Sequence, residues 1–532
     1  MIIFSRESMD VFMFDPVQLE IYKNLFTAIT DEMGIVLQKS AYSSNIKERR
    51  DFSCALFDQK GDLVIQAAHI PVHLGSMQLA VKETLKIMPL YPNDMVMTND
   101  PYTGGTHLPD ITLITPFFEE GNPDPLFYLA NRAHHADVGG MTPGSMPLST
   151  SIYQEGLRIP PVKIMKYRHE DSDLMGLFLA NTRNREEREG DIKAQKASLE
   201  VGKDRIREMI AKYGSKEVLS YMKELQDYTE RIMKKQISKI PDGLYTFQDY
   251  MDDDGVSDDP VKIAVQIRIT GDQAVVDFSE SDDGVEGCIN ANLPIVTSAV
   301  FYVFRSIIEG SIPSNAGLMR PIRIITKRGS LVHAEFPSAI AGGNVETSQR
   351  LVDVLYGALS QVLKDQIPAA SQGTMNNLTL GGYDPFRKRE FSYYETIGGG
   401  MGARPGKPGL HAIQSHMTNT LNTPIEALET TFPLEVIKYA IRKDSGGKGK
   451  YHGGDGIIRE IKVLTKSRGS ILSERRTHRP YGLHGGEDGM SGENYLIRKG
   501  VKTKLPSKTN LELQAGDIIS IHTPGGGGYG KA

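Results

Sequence analysis

His107-Leu108-Pro109-Asp110 stands directly ahead of one apolar run, Ile111-Thr112-Leu113-Ile114-Thr115-Pro116-Phe117-Phe118. A second run, Leu126-Phe127-Tyr128-Leu129-Ala130-Asn131-Arg132-Ala133, ends on His134-His135. The segment between them, Glu119-Glu120-Gly121-Asn122-Pro123-Asp124-Pro125, has turn chemistry, so the two runs read as an antiparallel hairpin. If Phe118 pairs with Leu126, the fixed pairing of an antiparallel ladder sets Asp110 opposite His134. His107 precedes Asp110 by three residues in a non-helical stretch, within reach of one ion if the backbone turns there. A bulge in the loop would shift the register, which keeps His135 as the alternate to His134. Asp51, just ahead of the strand Ser53-Cys54-Ala55-Leu56-Phe57, is a fourth candidate donor.

Two imidazoles and two carboxylates suit a borderline divalent ion, Zn²⁺, Mn²⁺ or Fe²⁺, and disfavour Ca²⁺ or Cu⁺. Asp137, two residues past His135, is placed either to orient an imidazole, because ligating histidines usually donate their second N–H to such a group, or to cap its own turn. His69 and His73 have helical metal-site spacing, but Pro71 between them opposes a helix, so they read as residues that support the ligands or line the pocket, or else as core or surface.

Outward from this hairpin, apolar spacing predicts an amphipathic helix over residues 17–42, with the eight residues before Met9 dispensable. A further hairpin is expected around Asp58-Gln59-Lys60-Gly61, and another around Thr270-Gly271-Asp272-Gln273. Residues 181–239 are rich in Glu, Lys and Arg with periodic Leu, Ile and Met, the pattern of one or two solvated helices. Apolar helices are expected over 295–308 and 348–362, and residues 451–521 read as short strands separated by glycine. The expected fold is therefore α+β and multi-domain. Antiparallel hairpins surround the metal site in 1–180, a charged helical segment fills 181–242, an α+β region spans 243–370, and a Gly-rich, β-rich region spans 371–532.

A length of 532 residues allows three or four domains of about 150 residues each. The 61 basic and 66 acidic residues give a net charge of -5, too mild to require nucleic acid or an anionic membrane as partner. Two cysteines, Cys54 and Cys288, exclude a disulfide framework and are expected as buried filler. No run reaches the ~20 apolar residues of a membrane span, and Met1-Ile2-Ile3-Phe4 lacks the start of a signal peptide, so a cytoplasmic location is expected. No phosphate-loop spacing, dinucleotide fingerprint or nucleophile elbow is present. The closing Gly525-Gly526-Gly527-Gly528 suits either close backbone approach or a flexible tail.

Longer strings carry a family resemblance. Asn99-Asp100-Pro101-Tyr102 with Gly104-Gly105-Thr106-His107-Leu108-Pro109-Asp110, and Asn131-Arg132-Ala133-His134-His135-Ala136-Asp137-Val138-Gly139-Gly140, resemble the hydantoinase B family. So do Gly343-Asn344-Val345-Glu346-Thr347-Ser348-Gln349-Arg350, Gly398-Gly399-Gly400-Met401-Gly402-Ala403-Arg404 and Thr523-Pro524-Gly525-Gly526-Gly527-Gly528-Tyr529-Gly530. The resemblance spans essentially the whole chain. It implies a B subunit of the group containing ATP-dependent N-methylhydantoinases, 5-oxoprolinases, caprolactam-type lactamases and acetone carboxylase. Such a subunit works with a separate A subunit, expected as a heterotetramer, in which ATP and Mg²⁺ phosphorylate the amide or carbonyl oxygen. The missing phosphate loop fits that division of labour. The resemblance places metal ligands on Asp51, His107, Asp110 and His134. The expected reaction is hydrolysis of a cyclic amide, with Asp137 or His135 moving protons and Asn99 and Arg132 either binding substrate or serving in packing and turns. A ketone carboxylase subunit and a non-catalytic scaffold with a structural metal are the alternatives.

Overall fold

The computed structural model describes residues 15–532 except Ala68 and Ser311, so the expectation about the residues before Met9 lies outside the described residues. Helix α1 (Pro16–Ser40) starts where Asp15 accepts a hydrogen bond from the Val17 N–H (2.9 Å) and Pro16 fills the first turn. It buries Tyr22, Phe26, Ile29, Met33 and Leu37. A short α2 (Ser44–Lys47) leads into β1 (Phe52–Phe57) and β2 (Leu63–Gln66), followed by α3 (Ser76–Ile87), β3 (Met95–Thr98), β4 (Asp110–Phe117), β5 (Phe127–His134), β6 (Val162–Lys166) and β7 (His169–Glu170).

These strands form one antiparallel sheet in the order β2-β1-β5-β4-β3-β6-β7. The β4–β5 register pairs Asp110 with His134 and Phe117 with Phe127, the pairing expected from the sequence, with no slip. Every residue of β4 and β5 is buried because both faces are covered. Ile111, Leu113 and Leu129 join the core under α1, whereas Ile114, Tyr128 and Ala130 pack with Met77 and Val81 of α3. The sheet's period of two thus decides which side chains share a face with Asp110.

After α4 (Ser172–Ala180), the charged segment forms α5 (Arg185–Tyr213) and α6 (Ser215–Ile237). They part at Gly214, whose φ of +81° is costly for any residue with a Cβ. Helix α5 lies against the sheet: Ile192, Leu199 and Ile206 enter the same core as α1.

Next come β8 (Gly243–Met251), β9 (Val261–Thr270) and β10 (Gln273–Asp277), then α7 (Leu293–Ser306) and β11 (Ile322–Ile325). The four strands form a sheet ordered β11-β10-β9-β8, with Thr270 paired to Gln273 across the expected turn. Helix α8 (Ser348–Leu359) is buried along its whole length. The remaining elements are β12 (Asn377–Asp384), β13 (Arg389–Glu395), α9 (Ile425–Thr431), β14 (Leu434–Arg442), β15 (Gly456–Val463), β16 (Ser467–Leu472), β17 (Glu493–Arg498), β18 (Val501–Leu505), β19 (Lys508–Leu513) and β20 (Ile518–His522). They build two antiparallel sheets, ordered β13-β12-β16-β19 and β14-β15-β20-β17-β18. The fold is mixed α and β in several sheets. Among the described residues, no helix is long and apolar enough to cross a membrane, and both cysteines are buried.

The closing glycines are packed backbone against backbone. Gly526 donates to Gly454 O (2.9 Å), Gly447 donates to Gly526 O (2.8 Å) and Gly527 donates to Ala370 O (2.8 Å). A Cβ on Gly526 would stand 2.2 Å from Met401 O. Because that obstacle is backbone, Gly526→Ala should destabilise the protein by about 3 kcal/mol or more, the upper range of overpacking. In α4, by contrast, a Cβ on Gly176 meets nothing within 4 Å. Gly176→Ala should be neutral or stabilising by up to about 1 kcal/mol. Denaturant melts of the two variants check both values.

Candidate metal centre

The loop carrying His107 is held from both ends by asparagines. Asn99 Nδ2 donates to Leu108 O (2.7 Å) and Leu157 O (2.9 Å), and Asn99 Oδ1 accepts from Ile159 N (2.6 Å). Asn292 Nδ2 donates to Pro101 O, Gly105 O and Thr106 O. Gly104, at φ +94°, lies so close to α3 that a Cβ would come 2.4 Å from Ala80 N. The loop is thereby pressed onto the sheet, and His107 is fully buried beside the end of β4.

Three donor atoms converge there. His107 Nε2 and His134 Nδ1 are 3.2 Å apart, and each is 3.3 Å from Asp110 Oδ1. Among the described residues, this is the group of three or more ligating side chains whose donor atoms come together as a metal site requires. Donors bound at about 2.0 Å to a tetrahedral ion are separated by about 3.3 Å, so the triangle has the dimensions of one face of such a site. Nitrogen and carboxylate oxygen suit Zn²⁺, Mn²⁺ or Fe²⁺. The residues therefore fit the group.

The carboxylate is oriented from behind. Thr106 Oγ1 donates to Asp110 Oδ2, and His73 Nε2 stands 3.2 Å from the same oxygen while its Nδ1 meets Ser53 Oγ at 2.9 Å. This leaves Oδ1 to face the two imidazoles. Burial disfavours charge on Asp110, but His107 and His73 beside it, with hydrogen bonds from His107 and His134, hold its carboxyl well below the usual range. Burial pushes the His134 imidazole down, favouring the neutral form that can bind a metal. The outer nitrogens, His107 Nδ1 and His134 Nε2, are buried without partners. Orientation of His134 comes instead from Tyr394 of β13, whose ring stacks on it at 4.5 Å and 17°. Arg49 also packs on Tyr394, its guanidinium carbon 4.8 Å from the ring centre.

Asp51 lies outside the triangle. It lines a cavity of about 20 Å³ together with Asp110, His134, His73 and Asn344. Every residue around this cavity is buried. Burial pushes the Asp51 carboxyl up, opposed by His134 and by Arg49, whose guanidinium is 3.8 Å away.

The structure does not bring the other expected site residues to the cluster. His135 follows His134 on an extended chain and so faces the opposite side, where its Nε2 meets Gln195 Oε1 of α5 at 2.9 Å. Asp137 accepts from Gly139 N (2.8 Å), Gly144 N (3.1 Å), Arg183 N (3.1 Å) and Arg183 Nη1 (3.0 Å), which makes it the anchor of its loop. Asn99 spends its amide on the clamp described above. Arg132 shares the face of Asp110 but donates to Thr112 Oγ1 (2.8 Å), Ser76 Oγ (2.7 Å) and Gly104 O (3.3 Å). His69 accepts from Cys54 N (3.2 Å) and packs on Phe52, away from the triangle.

Two predictions arise from these placements. His73→Ala removes a support of Asp110 and should weaken metal affinity by about 10–100-fold, read by competition with a chelator of known affinity. Burial pushes His69 down to about 4, against an ordinary value near 6.5. Its contribution is complete above about pH 6.5 and is lost as pH falls toward 4, because only the unfolded chain takes up the proton there. The loss is at most roughly 3 kcal/mol. In metal-free protein, stability should fall across that window, and His69→Asn should flatten the slope.

Comparison with known proteins supplies the lineage. The family model for hydantoinase B/oxoprolinase matches residues 15–532. An uncharacterized protein of Methanocaldococcus jannaschii, MJ0963, is 41% identical over 97% of this chain and 91% of its own length. A 5-oxoprolinase of Dictyostelium discoideum is 40% identical over 97% of this chain, which spans only 40% of that longer protein. The crystal structure of the ATP-dependent caprolactamase of Pseudomonas jessenii superposes with a TM-score of 0.89 at 28% identity, covering 98% of this chain and 92% of that one. The chain belongs to the hydantoinase B/oxoprolinase family.

Proposed function

We propose that this chain is the metal-holding subunit of an ATP-dependent enzyme that hydrolyses a cyclic amide of the hydantoin, lactam or 5-oxoproline type. The amide would be phosphorylated on oxygen in a separate A-type subunit that holds ATP and Mg²⁺, the two working as a hetero-oligomer. The observation that carries this reading is the triangle of His107 Nε2, Asp110 Oδ1 and His134 Nδ1. Similarity to a 5-oxoprolinase and to a caprolactamase supports the substrate class.

His107, Asp110 and His134 would hold a divalent ion, with Asp51 as the fourth donor and the small cavity beside them leaving room for one water. Bound there, Zn²⁺ or Mn²⁺ supplies Lewis acidity, which lowers the pKa of water toward ~7 and offsets negative charge developing on oxygen. The protein's own groups do the rest. Thr106 and His73 keep Asp110 Oδ2 occupied, so that Oδ1 stays turned inward. Tyr394 and Arg49 fix the plane of His134. Ile70, Val72, Met375 and Met417 give the cavity apolar walls that keep bulk water from competing.

The test is reconstitution. The chain would be mixed with an A-type subunit of its family, ATP and Zn²⁺ or Mn²⁺, and presented with 5-oxoproline, hydantoins and lactams. Ring opening that needs both subunits, ATP and the transition metal supports the proposal. Bicarbonate-dependent carboxylation of a ketone with no ring opening would favour the carboxylase alternative, and turnover that survives complete removal of that metal would favour the scaffold.

A further inference from the structure

Asn344 is 4% exposed, and its side-chain oxygen has no hydrogen-bond partner. Leaving such an oxygen buried and unpaired is costly. The side chain lines the same small cavity as Asp51, Asp110 and His134.

The backbone that delivers it is irregular. Residues Gly343–Thr347 form a π-helical turn immediately ahead of α8, and such turns recur at functional sites. The neighbours of Asn344 on this turn are already committed. A Cβ on Gly343 would stand 1.9 Å from Asn290 O, so the turn is pressed against that backbone. Glu346 Oε1 accepts from Met375 N (3.0 Å) and Asn377 Nδ2 (2.7 Å), and Thr347 donates its hydroxyl to Ile289 O. Val345 is part of the core. The turn is therefore clamped on both sides of Asn344, and the free amide oxygen is a feature of the clamped state.

The size of the cavity says what that oxygen meets. A volume of about 20 Å³ accommodates one water, which needs at least about 10–15 Å³ and two to four polar partners. A ring amide would have to reach that water from beyond the wall of the cavity. We propose that Asn344 positions the attacking water: Oδ1 accepts one of its hydrogens and turns the water's lone pair toward the amide carbon. This rests on the hydrolase reading above, in which the water's oxygen bonds to the carbon of the O-phosphorylated amide, its protons pass to the ring nitrogen, and the C–N bond breaks to free the amine. A second water then releases phosphate from the acyl phosphate left behind. A carboxamide neither gives nor takes a proton near neutral pH, so Asn344 is a positioning residue and acid–base work falls to other groups.

The experiment uses Asn344→Ala and Asn344→Asp in the reconstituted complex, with ATP and either 5-oxoproline or ε-caprolactam. For Asn344→Ala, metal content should equal wild type and KM should stay within about 3-fold. Its kcat should fall by about 100-fold, the scale of a 1 Å misplacement of a reacting group. Asn344→Asp, which keeps an acceptor oxygen, should recover part of the loss. A crystal structure of the Zn²⁺-loaded chain should show a water within about 3.2 Å of Asn344 Oδ1, absent or displaced in Asn344→Ala. Loss of metal from Asn344→Ala would make Asn344 a ligand and overturn the proposal. A rise in KM with unchanged kcat, or no change at all, would overturn it as well. Should the wild-type complex open neither amide, the hydrolase reading fails, and crystallography still decides whether Asn344 holds a water.

Discussion

His107→Ala should leave the chain folded, strip it of its transition metal, and lower ring-opening turnover in the reconstituted complex by roughly 10³-fold or more. That magnitude follows from losing a Lewis acid worth several kcal/mol of charge stabilisation. The imidazole contributes one corner of a three-donor triangle, at 3.2 Å from His134 Nδ1 and 3.3 Å from Asp110 Oδ1. Its outer nitrogen bonds to nothing, so the substitution breaks no other hydrogen bond. Elemental analysis alongside a thermal melt separates metal loss from unfolding. Full turnover by a folded, metal-free His107→Ala complex would refute the assignment.

Asp137→Ala should do the opposite, costing stability while sparing chemistry. Asp137 is fully buried and collects three backbone N–H groups and the Arg183 guanidinium around the 137–144 loop. Removing it leaves those donors unmatched and one partner of an ion pair alone, a change that costs about 3 kcal/mol or more. The molecules that remain folded should keep their metal and their turnover per folded molecule. A variant with wild-type stability and no activity would instead restore the proton-moving role that the sequence suggests for Asp137.

The parts of the site that the sequence displays are those governed by a short, rigid period. Asp110 and His134 face each other because an antiparallel ladder leaves no freedom once the turn is placed. The same period turns His135 toward α5, and a histidine pair at a strand end cannot use both rings on one ion. Asn99, Arg132 and Asp137 look like site residues in the sequence because they are polar and lie within ten residues of the candidate ligands. In the fold, each is taken up by its own loop or sheet, and no spacing shows which backbone groups will need a partner. Tyr394 and Asn344 reach the cavity from β13 and from the turn before α8. Their arrival depends on tertiary packing, and a π-helical turn has no period to read. The glycine strings are visible as composition, but their meaning lies in which strings touch: Gly526 needs its missing side chain because Met401 O occupies that space.

Whether an ion sits between His107, Asp110 and His134 is decided by anomalous diffraction from crystals of the metal-loaded chain, measured on both sides of the metal's absorption edge. One strong peak is expected about 2.0–2.2 Å from His107 Nε2, Asp110 Oδ1 and His134 Nδ1. A peak elsewhere, or fully loaded protein with no peak inside that triangle, would contradict that placement.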